Sequence, residues 1–474
     1  MKSPLFGSGR RFRNSLFYCL LLLLVSQAIP ACSTLPDFSH ILQREKASVT
    51  ATPGIRDHIG ALTPEKSRAI FAELALKVSD TDILTRHTRL LELLSDKPLT
   101  AGNRATLLIN RAETFRAMLK EAETAVDHIN FETFTFEDDP VGMRFSTLLR
   151  QKSAAGLDIN ILYDDAGSWR TSPRFFRELS RSGIRLLKFN PINPFELRTE
   201  WSPFARDHRK LLIIDGRTAF TGGVNIAGKD RDSLREIAME DNVEMPYWRD
   251  TDVCIEGPAV ADFQHEFTSM WAGQGGPLLT GKTYFPLPTP QGSDLVRTVA
   301  STPGSENRDT YLMYLSAIHF SERRIYLTDA YFAPDDQVID LLCAAAKRGV
   351  DVRVIVPTMT DHRMVLYAGR YSYSRLLRAG VKLYERRDVL LHAKTAVIDG
   401  VWSTVGSANL DMWSSLRDYE LNAVIIGPEF ADGMEAQFAR DLEACNAIYP
   451  SDWEKRPDGD KLKEWFAHMF NYWL

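Results

Sequence analysis

The pattern H-x-K-x4-D occurs twice, as His208-Arg209-Lys210 followed by Asp215 and as His392-Ala393-Lys394 followed by Asp399, and the surrounding sequence is duplicated with it. Upstream of the first copy, AVDHINFETFTFEDD (125–139) leads through a helix-like run to AGLDINILY (155–163). Upstream of the second, ERRIYLTDAYFAPDD (322–336) leads through another to RGVDVRVIV (348–356). Each half adds a further helical segment that ends on matching turns, SGIRL (182–186) and AGVKL (379–383). Strands that alternate with helices predict a layered α/β build, and self-similarity over so long a stretch predicts one unit written twice. The expected fold is therefore α/β, with two pseudo-twofold-related halves, each a mixed β-sheet flanked by helices, and an active site at their interface.

The 474 residues divide accordingly into 1–32, 33–97, 98–275, 290–450 and 451–474. The first segment reads as a signal peptide: Lys2, Arg10, Arg11 and Arg13 precede an apolar run from Leu16 to Val25. That run is well short of the ~20 residues a bilayer span needs. Ile29-Pro30-Ala31-Cys32 resembles a lipoprotein cleavage box and makes Cys32 the expected lipid anchor; an uncleaved anchor and an ordinary cleaved signal are the alternatives. Each places the body in a bacterial cell envelope, outside the cytoplasm. Residues 33–97 read as a stalk with short helices or as a packed extension of the first half, 98–275 and 290–450 as the two halves, and 451–474 as a tail. The aromatic, proline-rich stretch from Asn190 to Asp207 is expected to be a lipid-facing lip or a self-packed loop.

The two cassettes carry the chemistry. On a strand, residues two apart share a face, so each His points with its Lys, while Asp215-Gly216 and Asp399-Gly400 are hairpin turn signals. A lone histidine is usually structural, but two copies at equivalent places in a pseudo-twofold unit can meet. Two imidazoles and two ammonium groups around one point suit a phosphodiester: the lysines neutralise non-bridging oxygens, one imidazole attacks phosphorus, and the other protonates the departing alcohol. That chemistry requires no metal and no cofactor, and the five cysteines show none of the close pairs of a zinc or redox site. Thr221-Gly222-Gly223-Val224-Asn225 matches Val405-Gly406-Ser407-Ala408-Asn409, so Asn225, Ser407 and Asn409 are phosphate-binding candidates, with loop-stabilising turns as the plainer reading. Aligning WRDTDV (248–253) with LRDYEL (416–421) makes Asp252 and Glu420 equivalent, and these are the expected histidine-orienting carboxylates unless they are solvated acids at strand starts. With 57 basic against 62 acidic residues, the net charge of −5 is the wrong sign for coating a polyanion, and no nucleic-acid partner is expected.

The paired cassettes, GSAN (406–409), FNPINP (189–194) and WRDTDVCIEGPAV (248–260) resemble the phospholipase D superfamily, and within it the bacterial cardiolipin synthases, over about residues 98–450. The resemblance implies a metal-independent, two-step phosphatidyl transfer. One phosphatidylglycerol gives its phosphatidyl group to a histidine, glycerol leaves, and a second phosphatidylglycerol in the membrane accepts the group. It implies His208 as nucleophile and His392 as acid and then base, with His208 oriented by Glu420 and His392 by Asp252, each acid belonging to the opposite half. Many members begin with two membrane spans, whereas this chain offers one short apolar run. A hydrolase on the same scaffold and a non-catalytic lipid-binding protein are the competing readings.

Overall fold

The computed structural model describes residues 35–39, 54–77, 83, 86–88, 97–193, 202, 204–228, 247–279, 284–304 and 308–474. Residues 1–32, on which the expected signal peptide and lipid anchor Cys32 fall, and residues 194–201 and 203 of the aromatic stretch lie outside them. Among the described residues no helix is long and apolar enough to cross a membrane.

The first half is built on β1 (Leu99–Ile109), β2 (His128–Thr133), β3 (Asp158–Asp164), β4 (Arg185–Phe189), β5 (Lys210–Ile214), β6 (Thr218–Gly222) and β7 (Thr251–Glu256). Across the sheet they run β1-β7-β6-β5-β2-β3-β4, parallel only in β2-β3-β4. The second half comprises β8 (Asp294–Ser301), β9 (Arg324–Asp329), β10 (Asp351–Pro357), β11 (Lys382–Arg386), β12 (Lys394–Ile398), β13 (Trp402–Gly406), β14 (Asp418–Ile426) and β15 (Cys445–Ile448). Their order is β8-β14-β13-β12-β9-β10-β11-β15, the same topology with one antiparallel edge strand added. β1 and β8 pair with each other, so the two sheets are continuous across the pseudo-twofold.

Helices cover the sheets where the sequence supplies caps. Asp139 accepts from Gly142 N (2.9 Å) ahead of Pro140 to start α1 (Pro140–Ala154), and Ser172 accepts from Arg174 N (3.2 Å) ahead of Pro173 to start α2 (Pro173–Arg181). Phe145, Leu149, Phe175 and Leu179 from these helices pack on Ile129, Phe131, Leu212 and Phe220. On the opposite face α3 (Val260–Gly273) contributes Phe263, Phe267 and Trp271, and α5 (Pro428–Glu443), which follows α4 (Arg363–Ala379), contributes Met434. This core also takes Leu211, Ile213, Val253 and Ile255 from the first half and Val397, Val405, Leu421 and Ala423 from the second. The halves thus share one hydrophobic core, and burial on that scale fixes them against each other.

Parts of the 33–97 segment lie on this body. Ile55–Arg56 pairs in parallel with Leu99–Thr100, and the buried His87 places Nε2 3.0 Å from Asp399. The 451–474 segment forms α6 (Asp458–His468), packed on α4 through Ala467 and Ala368.

Candidate active site

His208 precedes β5 and His392 precedes β12, and each is clamped to the other half. His208 N donates to Tyr419 O (3.1 Å), and His392 N donates to Arg249 O (2.8 Å). The short strands Arg206–Asp207 and Val389–Leu391 run parallel with Asp418–Tyr419 and Tyr247–Arg249 respectively. Each imidazole then reaches a carboxylate across the interface: His208 Nδ1 lies 3.0 Å from Glu420 Oε1, and His392 Nδ1 lies 2.8 Å from Asp250 Oδ2. Both pairs are buried. With Nδ1 held by an acceptor, Nε2 is the nitrogen left to face a substrate.

The acid that meets His392 is Asp250, which corrects the sequence-based assignment of Asp252. Asp252 pairs across the ladder with Gly222, as Asn422 does with Gly406, so Asp252 corresponds to Asn422 and Asp250 to Glu420. Val224 N donates to Asp252 Oδ1 (3.0 Å) just as Ala408 N donates to Asn422 Oδ1 (3.2 Å). Burial, reinforced by Asp250, pushes the Asp252 carboxyl up to about 8, so it is protonated at neutral pH. Matching the two Arg-Asp dipeptides set the comparison two residues out, and a slip of two returns every side chain to the same face of the strand.

Glu420 is fixed by more than its histidine, because the hydroxyls of Ser407 and Ser414 both donate to it. This corrects the phosphate-binding role expected of Ser407, whose hydroxyl holds Glu420 and also accepts from Leu421 N (3.0 Å). In the first half, Gly223 occupies the place of Ser407, where a Cβ would lie 2.0 Å from Asp250 Oδ1; the shorter acid needs the missing side chain. Asn225 and Asn409 follow at equivalent positions and are buried. Asn225 Oδ1 accepts from Thr135 N (3.3 Å), which leaves its amide NH2 as the donating side, and Asn409 N donates to Ser414 Oγ (3.1 Å).

Lys210 and Lys394 donate to the carbonyls of their own histidines and lie over the rings of Phe134 (5.4 Å) and Tyr331 (5.8 Å). These two rings, one residue apart in the register of the two halves, stand edge-on to His208 at 5.3 Å and to His392 at 6.3 Å. Burial lowers Lys210 to about 7 against the pull of Glu420, and lowers Lys394 in the same direction. Burial also lowers His208 to about 4, with Lys210 adding to the fall and Glu420 opposing it. Burial and Lys394 likewise depress His392, with Asp250 opposing. Both rings are therefore neutral at pH 7. An anionic phosphate would restore charge to the two lysines and to the imidazole that donates a proton, while the attacking imidazole must stay neutral.

The surroundings of the two histidines differ. Beside His392, Trp248 stands edge-on at 5.1 Å, with the Arg111 guanidinium stacked on it at 3.9 Å. At the matching register position beside His208 stands Asp418, buried, its Oδ1 without a hydrogen-bond partner among the described residues. Its ligand atom, that of Glu420 and that of His208 lie within 4.8 Å of one another. Burial, with Glu420 and Asp411 adding to it, raises Asp418 well above the usual carboxylate range.

Asp215 and Asp399 were expected among the catalytic residues, but they sit at the far ends of β5 and β12, about 15 Å along the strand from the lysines. Each takes a positive φ at a hairpin corner (53° and 56°) ahead of a glycine. Asp215 accepts from the backbone N–H groups of Val126, Asp127 and His128 (2.8, 2.8 and 2.9 Å), and Asp399 from those of Glu322, Arg323 and Arg324 (3.0, 2.8 and 3.0 Å). They pin the strand that carries each His-Lys pair to its neighbour. Asp215→Asn keeps a residue that tolerates the turn but removes the charge and one acceptor. It is expected to lower stability in urea by on the order of 2 kcal/mol while the turnover of the folded protein is unchanged. A large fall in turnover without loss of stability would return Asp215 to the chemistry.

Two halves of like topology that exchange carboxylates to orient a pair of histidines over paired lysines define a two-histidine phosphodiester-transfer site of the phospholipase D type. The sequence matches the family described as cardiolipin synthase, PLD-like domain, over residues 115–271 and 314–442. It is 32% identical to a cardiolipin synthase of Geobacillus sp. (strain WCH70) over 393 residues, covering 80% of this chain and 74% of that one. It is also 32% identical to cardiolipin synthase A of Pseudomonas putida, covering 77% and 73%. In fold it resembles the crystal structure of phosphatidylserine synthase from Haemophilus influenzae Rd KW20, with a TM-score of 0.56 at 14% identity over 82% of this chain and all of that one. The chain belongs to the cardiolipin synthase family of phospholipase D-like proteins.

Sequence reasoning missed Asp250, Asp418, Ser414, Arg111 and Trp248. Trp248 and Asp250 lie within WRDTDVCIEGPAV (248–260), where only the correct register brings them to His392. Arg111 and Ser414 carried no local signal, because their relevance comes from tertiary placement.

Proposed function

We propose that this protein is a metal-independent phosphatidyltransferase that makes cardiolipin from two phosphatidylglycerol molecules through a phosphohistidine. The observation that carries the reading is the reciprocal pairing of His208 with Glu420 and of His392 with Asp250. In the first step His208 Nε2 forms a bond to phosphorus, the bond from phosphorus to the glycerol oxygen breaks, and His392 gives that oxygen its proton. In the second step the hydroxyl of another phosphatidylglycerol passes its proton to His392 and attacks phosphorus, which frees His208. Lys210 and Lys394 balance the non-bridging oxygens, and the amides of Asn225 and Asn409 add uncharged donors.

The difference between the two sides favours His208 as nucleophile. A phosphorylated imidazole that keeps its Nδ1 proton is cationic, and Glu420, kept charged against its burial by His208 and Lys210, balances it. Arg111 on the His392 side favours giving up a proton, as an acid must. We assign the two catalytic halves to 98–275 and 290–450, and place the body at a membrane in the cell envelope, held through Cys32.

Purified protein given phosphatidylglycerol vesicles and a chelator is expected to release one glycerol for each cardiolipin formed. Phosphatidic acid as the sole lipid product would replace the synthase reading with a hydrolase, and loss of all turnover on chelation would remove metal independence.

A further inference from the structure

The C-terminal helix α6 is amphipathic in the reverse sense. Toward the body it presents Ala467, fully buried against Ala333 and Ala368, and Glu464, buried in an ion pair with Arg456 (2.7 Å). Toward solvent it presents Leu462 (62% exposed), Trp465 (49%) and Phe466 (51%), and the chain continues this stripe past the helix through Met469 (59%), Phe470 and Trp473. These positions recur at three and four residues, the spacing of a single helical face. A surface helix normally turns such a face inward. Here packing on α4 uses the small face, through Ala467 and the stacked rings of His468 and Tyr371 (4.1 Å), which leaves the large apolar side chains of α6 about half exposed or more.

The stripe leads to the active-site rim. Trp473 and Tyr472 lie on the Arg417 guanidinium (4.6 and 5.2 Å), which also lies on Trp413 (4.7 Å) and on Phe204 (5.4 Å), itself 41% exposed. Arg417 directly precedes Asp418 at His208, and Leu474 O accepts from Trp413 N (3.1 Å). The apolar face is therefore continuous with the His208 side of the cleft.

We propose that this face, from Leu462 to Trp473, seats the protein in the lipid interface and sets the cleft at headgroup depth. The proposal rests on the phosphatidyl-transfer reading, because it takes its occupant from substrates that reside in a bilayer. Trp, Tyr, Phe and Met are the side chains that favour the boundary between headgroups and acyl chains. Lys455, Lys461 and Lys463 nearby are each paired with an aspartate (Asp452, Asp458 and Asp460), so apolar insertion rather than net positive charge supplies the binding. A second copy is the poorer occupant, since an 11-residue helix gives a strip about 16 Å long, and a stable protein pair buries about 800 Å² on each partner.

The test uses the full chain. In vesicles containing phosphatidylglycerol and bromine-labelled lipid, the emission lost on making Trp465→Phe is expected to be quenched, which places that indole among acyl chains. The combined variant Phe466→Ser, Met469→Ser, Phe470→Ser is expected to turn over vesicle phosphatidylglycerol roughly tenfold more slowly, and the same lipid in detergent micelles at the wild-type rate. Unquenched Trp465, an unchanged vesicle rate, or an equal fall in both formats overturns the proposal. So does a change in oligomeric mass without lipid, which would make the face a contact between copies. If the wild type forms cardiolipin in neither format, the transferase reading fails, and the quenching still reports on docking.

Discussion

His208→Ala is expected to abolish release of p-nitrophenol from phosphatidyl-p-nitrophenol, whereas His392→Ala is expected to give a burst approaching one equivalent per protein. The phenolate departs without a proton, so the acid is dispensable for the first step while the nucleophile is not. His392 is still needed as the base of the second step, so the burst should stall as phosphohistidine, visible as added mass on the intact protein. With phosphatidylglycerol, whose glycerol must be protonated to leave, both variants are expected to lose on the order of 10⁴-fold in kcat. A burst from His208→Ala and none from His392→Ala would exchange the two roles. Bursts from both, or from neither, would end the division of labour between the histidines.

The second large effect separates two neighbouring acids. Asp250→Asn is expected to lower kcat by on the order of 10³-fold, because the carboxylate that holds His392 Nδ1 at 2.8 Å and steadies the imidazolium is lost. Burial pushes Asp250 up, but His392, Lys394 and Arg111 outweigh it and hold the carboxyl well below its usual range, so the charge is present at any working pH. Asp252→Asn is expected to leave kcat within about twofold, since the second half already carries Asn422 in that place and Asp252 is protonated at neutral pH. Steady-state rates on phosphatidylglycerol, with thermal melts to check folding, distinguish the two. Equal losses from both substitutions would refute the register.

The duplication was legible in the sequence because a pseudo-twofold unit repeats its strands, caps and turns in order, and because His and Lys two apart on a strand must share a face. Glu420 was legible as the partner of His208 only through the family resemblance, which supplied the exchange between halves. Asp252 was a wrong choice for a physical reason. The alternation of Val253 and Ile255 against Leu421, Ala423 and Ile425 fits equally well two residues away, and the segments from Gly222 to Asp252 and from Gly406 to Asn422 differ in length, so register could not be counted across them. Asp215 and Asp399 were grouped with the chemistry because they complete the repeated pattern, but what repeats there is a hairpin corner. Ser407 stands where a phosphate donor would be useful, and only the fold shows that Glu420 reaches its hydroxyl first.

Because each half keeps the acid on which the other's base depends, catalytic competence cannot be graded between the halves. A fragment holding residues up to 275 has His208 without Glu420, and the remainder has His392 without Asp250, so proteolysis in the connection from 276 to 289 followed by separation yields two inert pieces instead of one weak enzyme. The arrangement makes the intact inter-half seam a condition for reactivity, because a partly assembled chain holds each histidine without its carboxylate.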